Sequence, residues 1–187
     1  MNGPSLILCT PENSQIIKNL YPLYIYDLAE FEFKKFNDSG ILGQSNCMNW
    51  DQKTKSLDLW WENTDERFPY IIYDNSEPIG FCLIACPTIP YEGIDNYLVE
   101  FFIAKTSRNK GIGRLIARKA IESLAGSWTL RVLPRNNDAY TFWKNTIHGF
   151  PVILEYDEYV DSDRMICFDF MIEAKQHADG LNSQERV

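Results

Sequence analysis

Apolar positions along this 187-residue chain fall into runs whose spacing changes from segment to segment. Ser5–Cys9 reads as a short first strand. Thr10, Pro11 and Glu12 then supply an N-cap, a proline at the first helical position and an acidic first turn. The segment that follows, to about Phe36, is rich in aromatics: Tyr21, Tyr24, Tyr26, Phe31, Phe33 and Phe36. Pro22 within it predicts two helices or one bent one. Asn37–Gly40 is a turn. Residues 41–66 predict irregular structure with a short strand near Leu57–Trp61. Pro69–Tyr73 and Ile79–Cys86 read as a hairpin joined through Asp74–Pro78.

The second half is more regular. Tyr97–Ile103 is an apolar run that reads as a buried strand extending to Lys105. Ile112, Leu115, Ile116, Ala120, Ile121 and Leu124 recur at helical spacing and predict a helix over Gly111–Ala125. Trp128–Leu133 is a further strand, ended by Pro134. Asn136 or Asn137 can cap a short helix carrying Ala139, Phe142, Trp143 and Ile147. Phe150–Tyr156 and Arg164–Ile172 form a final antiparallel pair. The expectation is an α/β (α+β) fold in which helices flank a mixed, largely antiparallel sheet. One domain over 1–172 and a flexible tail over 173–187 are expected.

Composition narrows the function. No apolar run approaches the roughly 18–20 residues of a membrane span, and the first residues lack a basic, signal-like start, so a cytoplasmic protein is expected. The five cysteines stand at unrelated spacings, and Cys82 and Cys86 share one strand face, which reads as core. With only His148 and His177 available, no metal site is expected. The net charge of −8 argues against nucleic acid and favours a cationic small molecule or a basic peptide. That charge is unevenly spread: residues 101–150 carry a net +7, residues 1–100 a net −9 and residues 151–187 a net −6. A basic window inside an acidic chain points to a local anionic ligand.

The window centres on Arg108-Asn109-Lys110-Gly111-Ile112-Gly113-Arg114, a basic glycine turn between the Tyr97 strand and the Gly111 helix. Unpaired amides and a partial positive charge at a helix start, with glycines that admit close approach, bind phosphate or pyrophosphate. The spacing excludes two common devices. Ile116 stands where a dinucleotide fingerprint needs its third glycine, and the chain has no Gly-Lys-Ser/Thr. Arg108, Gly111 and Gly113 instead form Arg-x-x-Gly-x-Gly, which resembles the coenzyme A loop of the GNAT superfamily of N-acetyltransferases. A second patch agrees. Asn136, Ala139 and Phe142 match the Asn-x-x-Ala-x-x-(Leu/Phe)-Tyr pattern of that superfamily, while Trp143 replaces the tyrosine that often acts as general acid. Finer strings, Tyr24–Phe31, Val99–Ile103 and Leu133–Asn136, resemble a group of small bacterial GNAT acetyltransferases.

The resemblance implies acetyl transfer from acetyl-CoA to an amine. It implies coenzyme contacts from Phe102, Ile103, Arg108, Asn109, Lys110, Gly111, Ile112, Gly113, Arg114, Asn136 and Trp143. It also implies a bulge that splays the Tyr97 strand from the Trp128 strand, so that pantetheine enters and pairs with backbone around Ile103. An ammonium near pKa 10 must lose a proton before it attacks. Glu100, the only ionisable side chain between Tyr97 and Ala104, is the candidate base. Simple alternation puts Glu100 and Phe102 on one face and Val99, Phe101 and Ile103 on the other. Tyr24 and Tyr26 are candidates for the acid. By fold analogy the acceptor pocket is lined by Tyr24, Asp27, Phe31, Trp60 and Trp61, where aromatic faces and carboxylates suit a cation. The expected partner is a small amine bound by a monomer or homodimer, without nucleic acid or membrane. A protein or peptide N-acetyltransferase and a non-catalytic acyl-CoA sensor are the alternatives.

Overall fold

In the computed structural model, one seven-stranded sheet runs in the order β1-β2-β3-β4-β5-β7-β6. The strands are β1 (Pro4–Leu8), β2 (Arg67–Asp74), β3 (Glu77–Ala85), β4 (Asn96–Ile103), β5 (Gly126–Val132), β6 (Ile153–Val160) and β7 (Ile166–Ile172). Every neighbouring pair is antiparallel except β4 and β5. Among the described residues the long α-helices are α1 (Gln15–Glu32), α2 (Ile112–Glu122) and α3 (Asn137–His148). The structure describes residues 3–42, 54–62, 64–86, 93–150 and 153–173. The predicted tail beyond Glu173, Cys47 and much of the 41–66 region lie outside that set. The mixed, mostly antiparallel sheet with flanking helices is the fold class the residue pattern predicts.

Apolar side chains sort into two layers, one on each face of the sheet. The larger cluster packs Ile116, Ala120 and Ile121 of α2 and Trp143 and Ile147 of α3 against Trp128, Leu130 and Phe168. The smaller one packs Ile17, Tyr21 and Tyr24 of α1 against Ile71, Phe81, Leu83 and Phe102. That second layer explains two departures from expectation. α1 runs unbroken through Pro22. An interior proline costs about 3 kcal/mol, and buried Ile17 with the ring contacts of Tyr21 (tilted) and Tyr24 (edge-on) on Phe81 offsets it. Leu57–Trp61 is a 3-10 helix, not a strand. Its Leu57 is buried in the same layer, Trp61 Nε1 donates to Cys9 O at 3.0 Å, and Asp58 pairs with Lys18. Those anchors come from separate elements, which a helical turn can satisfy and an isolated strand cannot.

β4 decides the shape of the site. Leu83 of β3 faces Glu100, yet its neighbour Ile84 faces Leu98, so Val99 is an extra residue in the ladder. Such a bulge bends its strand and lets two successive side chains lean to one side. Val99 accordingly packs in the α1 layer with Phe102, while Phe101 and Ile103 pack in the other. Simple alternation fails at this one position. The parallel pairing of β4 with β5 covers Asn96–Leu98 only and stops at Leu98↔Leu130. From Val99 onward the two strands diverge.

Candidate active site

The divergence opens a cleft of about 1070 Å³. Its walls are β4 from Tyr97 to Ile103, the end of β5, the first turns of α3, the loop before α2 and the inner side of α1. Two ends can be distinguished by what lines them.

One end is the basic loop. Ala104 and Lys105–Ser107 carry the chain out of β4 through a 3-10 turn. Asn109 (φ 61°) and Gly111 (φ 77°) then adopt left-handed backbone before α2 begins. A side chain at Gly111 would strain that conformation. Gly113 is needed for a different reason: a Cβ there would lie 3.3 Å from the Phe142 ring and 3.5 Å from Ile103. The first helical bond runs from Leu115 N to Gly111 O at 3.2 Å. The amides of Ile112, Gly113 and Arg114 are thereby left without intrahelical acceptors, beside the loop that borders the cleft.

Three of the cations here are already held by protein. Arg108 donates through Nε to Ile103 O at 2.6 Å and through a terminal nitrogen to Asp27 Oδ2 at 2.5 Å. Lys105 approaches the same carboxylate at 3.2 Å. Asp27 therefore sits with the loop, although fold analogy assigns it to the acceptor. Arg114 donates to Asn145 O near the end of α3 at 3.1 Å. Asn136 is the N-cap of α3, and its Oδ1 accepts from Ala139 N at 3.0 Å, which leaves its Nδ2 donors unpartnered among the described residues. Trp143 is buried edge-on against Phe101 and Phe142, yet still borders the cleft. Phe102, Ile103, Arg108, Asn109, Gly111, Gly113 and Arg114 border it too. Lys110 and Ile112 do not; Lys110 is exposed and Ile112 is in the core.

The other end holds Glu100, half-buried and without an ion-pair partner among the described residues. Burial pushes its carboxyl up to about 7; the hydrogen bond from Tyr24 opposes that rise and the charge of Glu32 adds to it. The Tyr24 hydroxyl donates to Glu100 Oε2. Its own acidity is suppressed, well above the ordinary phenol value, by burial and by that carboxylate. The same two causes raise Tyr21 to about 12. Phe31 lines this end with Tyr24. Tyr26 does not line it and is 59% exposed. Trp60 and Trp61 lie in the α1 layer, not in the cleft.

Residue patterns missed Leu28, Glu32, Tyr97, Arg131 and Met165, which border the cleft as well. Glu32 was foreseeable two turns after Tyr24 on one helix. Arg131 and Met165 come from β5 and the β7 approach, and only tertiary pairing brings them in.

A family model described as the acetyltransferase (GNAT) family matches residues 25–150. No curated protein matches the chain. Among solved structures, an acetyltransferase from Thermus thermophilus superposes with a TM-score of 0.64 at 14% identity, over 89% of this chain and 96% of that one. A Corynebacterium glutamicum protein, described as histone acetyltransferase HPA2 and related acetyltransferase, gives 0.60 at 14%, over 91% and 97%. A chimera of Vibrio cholerae spermidine N-acetyltransferase SpeG and hSSAT gives 0.57 at 12%, over 91% and 96%. At such identities the likeness is one of fold.

Proposed function

The chain belongs to the GNAT acetyltransferase family, and on that premise we propose that it moves an acetyl group from acetyl-CoA to the primary amine of a small cationic molecule. The observation that carries this reading is the end of β4–β5 pairing at Leu98↔Leu130. It leaves the β5-facing edge of β4 beyond Leu98 without a strand partner among the described residues, with the basic loop at one end and Glu100 at the other.

Each group has a use in that chemistry. The amides at the start of α2, together with Arg108, Lys105 and the free Nδ2 of Asn136, suit a diphosphate and its pantetheine arm. Glu100 takes one proton from the acceptor ammonium. The freed amine forms a C–N bond at the thioester carbon, and main-chain N–H groups of β4 stabilise the developing oxyanion. The C–S bond breaks, and the second amine proton ends on the thiol. Because a thiol has a pKa near 8.5, departure needs little acid help, and the absence of a titrating group at Trp143 is tolerable. The tyrosines and carboxylates of the acceptor end support a cation as the substrate. The strings shared with small bacterial relatives support placing the protein among them.

One observation favours a second reading. Trp143 stands where a proton donor is usual, and its indole does not titrate; a non-catalytic acyl-CoA sensor would also accept it. A panel of amines assayed with acetyl-CoA by free-thiol release tests both. Turnover with a diamine or amino sugar, abolished in Glu100→Gln while calorimetry shows intact CoA binding, supports the enzyme. CoA binding without thiol release for any amine supports the sensor. No heat and no thermal shift with CoA overturns both.

A further inference from the structure

Fold analogy offers Tyr24 as a proton donor to the leaving thiol, but its hydroxyl is already committed elsewhere. It donates to Oε2 of Glu100, and its ring is fixed on three sides by Tyr21, Phe81 and Phe102 at centroid separations of 5.9, 5.6 and 5.9 Å. The carboxylate it meets sits beside the Val99 bulge, where β4 leans toward α1. We propose that Tyr24 is a positioning residue: its hydroxyl pins Oε2, leaves Oε1 for the acceptor ammonium and stabilises the ionised carboxylate in apolar surroundings. This rests on the reading of Glu100 as base.

The surroundings leave Tyr24 as the partner that can do this. From α1, Tyr21, Tyr24 and Glu32 face Glu100. Tyr97 lies on the same strand, and Arg131 of β5 borders the same cleft but is paired with Asp161 and Asp163. β3 contributes the apolar Phe81 and Leu83. Tyr21 is neutral at working pH and Glu32 repels the charge. The Tyr24 hydroxyl is the one group with a hydrogen bond to the carboxylate among those described. A phenol bonded to an anion favours the charged form. It also orients the acceptor oxygen, as a carboxylate serves as base only within hydrogen-bond reach of the proton it takes.

The test is Tyr24→Phe, which keeps the ring contacts, beside Tyr21→Phe as a control outside the cleft. For Tyr24→Phe the rising limb of kcat/KM for the amine against pH should move alkaline by about one unit, the worth of one hydrogen bond to a charged group. Its rate should fall about tenfold at pH 6.5 and recover to within about twofold at pH 9, with KM for acetyl-CoA unchanged. Tyr21→Phe should leave the limb in place. An unmoved limb in Tyr24→Phe overturns the proposal. So does loss of a falling alkaline limb with the rising limb fixed, which marks Tyr24 as an acid instead.

A second readout needs no turnover. The thermal-stability difference between the wild type and Glu100→Gln, followed from pH 4 to 9, reports the titration of Glu100. Tyr24→Phe should displace that curve to higher pH. If no amine is ever acetylated, the acetyltransferase reading fails while this curve still decides the role of Tyr24. If amines are acetylated and the curve stays still, the role of Tyr24 alone fails.

Discussion

The two ends of the cleft are built on opposite principles. At the loop end the useful groups are main-chain amides, and both arginines already have hydrogen-bond partners: Arg108 in Asp27 and the Ile103 carbonyl, Arg114 in the Asn145 carbonyl. At the Glu100 end the useful group is one carboxylate held in apolar surroundings, with a hydroxyl for company and no cation paired to it among the described residues. The first end costs the fold little when empty. The second holds an unfavourable charge in place at neutral pH. Substitutions should therefore separate them. Damage at the loop should weaken coenzyme binding, whereas neutralising Glu100 should abolish turnover and stabilise the protein.

The largest effect follows from the second half of that contrast. Glu100→Gln keeps the shape and removes the base, so turnover at pH 7.5 should fall by about 10²–10⁴ with CoA affinity unchanged. The stability change has a definite sign. Glu100 has a folded-state pKa of about 7, against an ordinary value of 4.5. The folded state thus binds its proton more tightly than the unfolded one, and the wild type loses stability as pH climbs from about 4.5 to 7. Gln escapes that loss. Its melting temperature should exceed the wild type's at pH 8, by several degrees at roughly 2–4 °C per kcal/mol, and match it near pH 4. Wild-type kcat/KM for the amine should rise through about pH 7 as the carboxylate ionises. A pH-independent melting difference would show that burial does not set the charge of Glu100.

Next in size is Gly113→Val at the opposite end. A Cβ there already meets Phe142 at 3.3 Å, and the added methyls press on Phe142 and Ile103. Overpacking of that kind costs about 1–3 kcal/mol. Forced away from α3, the start of α2 should bind CoA about 10- to 100-fold more weakly, consistent with that cost. The pH midpoint at saturating acetyl-CoA should not move, since Glu100 and Tyr24 are untouched. A shifted midpoint would mean that the two ends are coupled through β4.

The same contrast explains what residue order reveals. The loop end is almost contiguous, from Ile103 to Arg114, so its chemistry survives in spacing: a strand, a basic glycine turn, a helix. Asn136 is also legible, because capping is local. The fold class follows from runs long enough to show their period. The Glu100 end draws on α1, β4, β5 and the approach to β7, and no motif joins Tyr24 or Arg131 to Glu100. Its key event, the Val99 bulge, breaks the two-residue period on which face assignment depends. Trp60 and Trp61 look like a cation cage by composition, yet they seal the underside of α1. Asp27 looks like part of the acceptor pocket because it sits among aromatics, yet in space it belongs to Arg108.

That last pairing gives the smallest and most discriminating prediction. Asp27 is a carboxylate at the site where a diphosphate is expected, holding Arg108 at 2.5 Å and Lys105 at 3.2 Å. An anionic ligand must compete with it for the same two cations. Asp27 is 17% exposed and Arg108 38%, so solvent screens the pair, and such pairs are worth about 0.2–1 kcal/mol. Asp27→Asn keeps a hydrogen-bond acceptor for Arg108 but removes the competing charge. CoA should then bind up to about fivefold more tightly, most clearly at low salt, and the gain should shrink as ionic strength rises. Calorimetry at two salt concentrations measures this. Weaker binding in Asp27→Asn would mean that the carboxylate holds Arg108 in its binding posture, and then the loop end too would depend on α1 for its geometry.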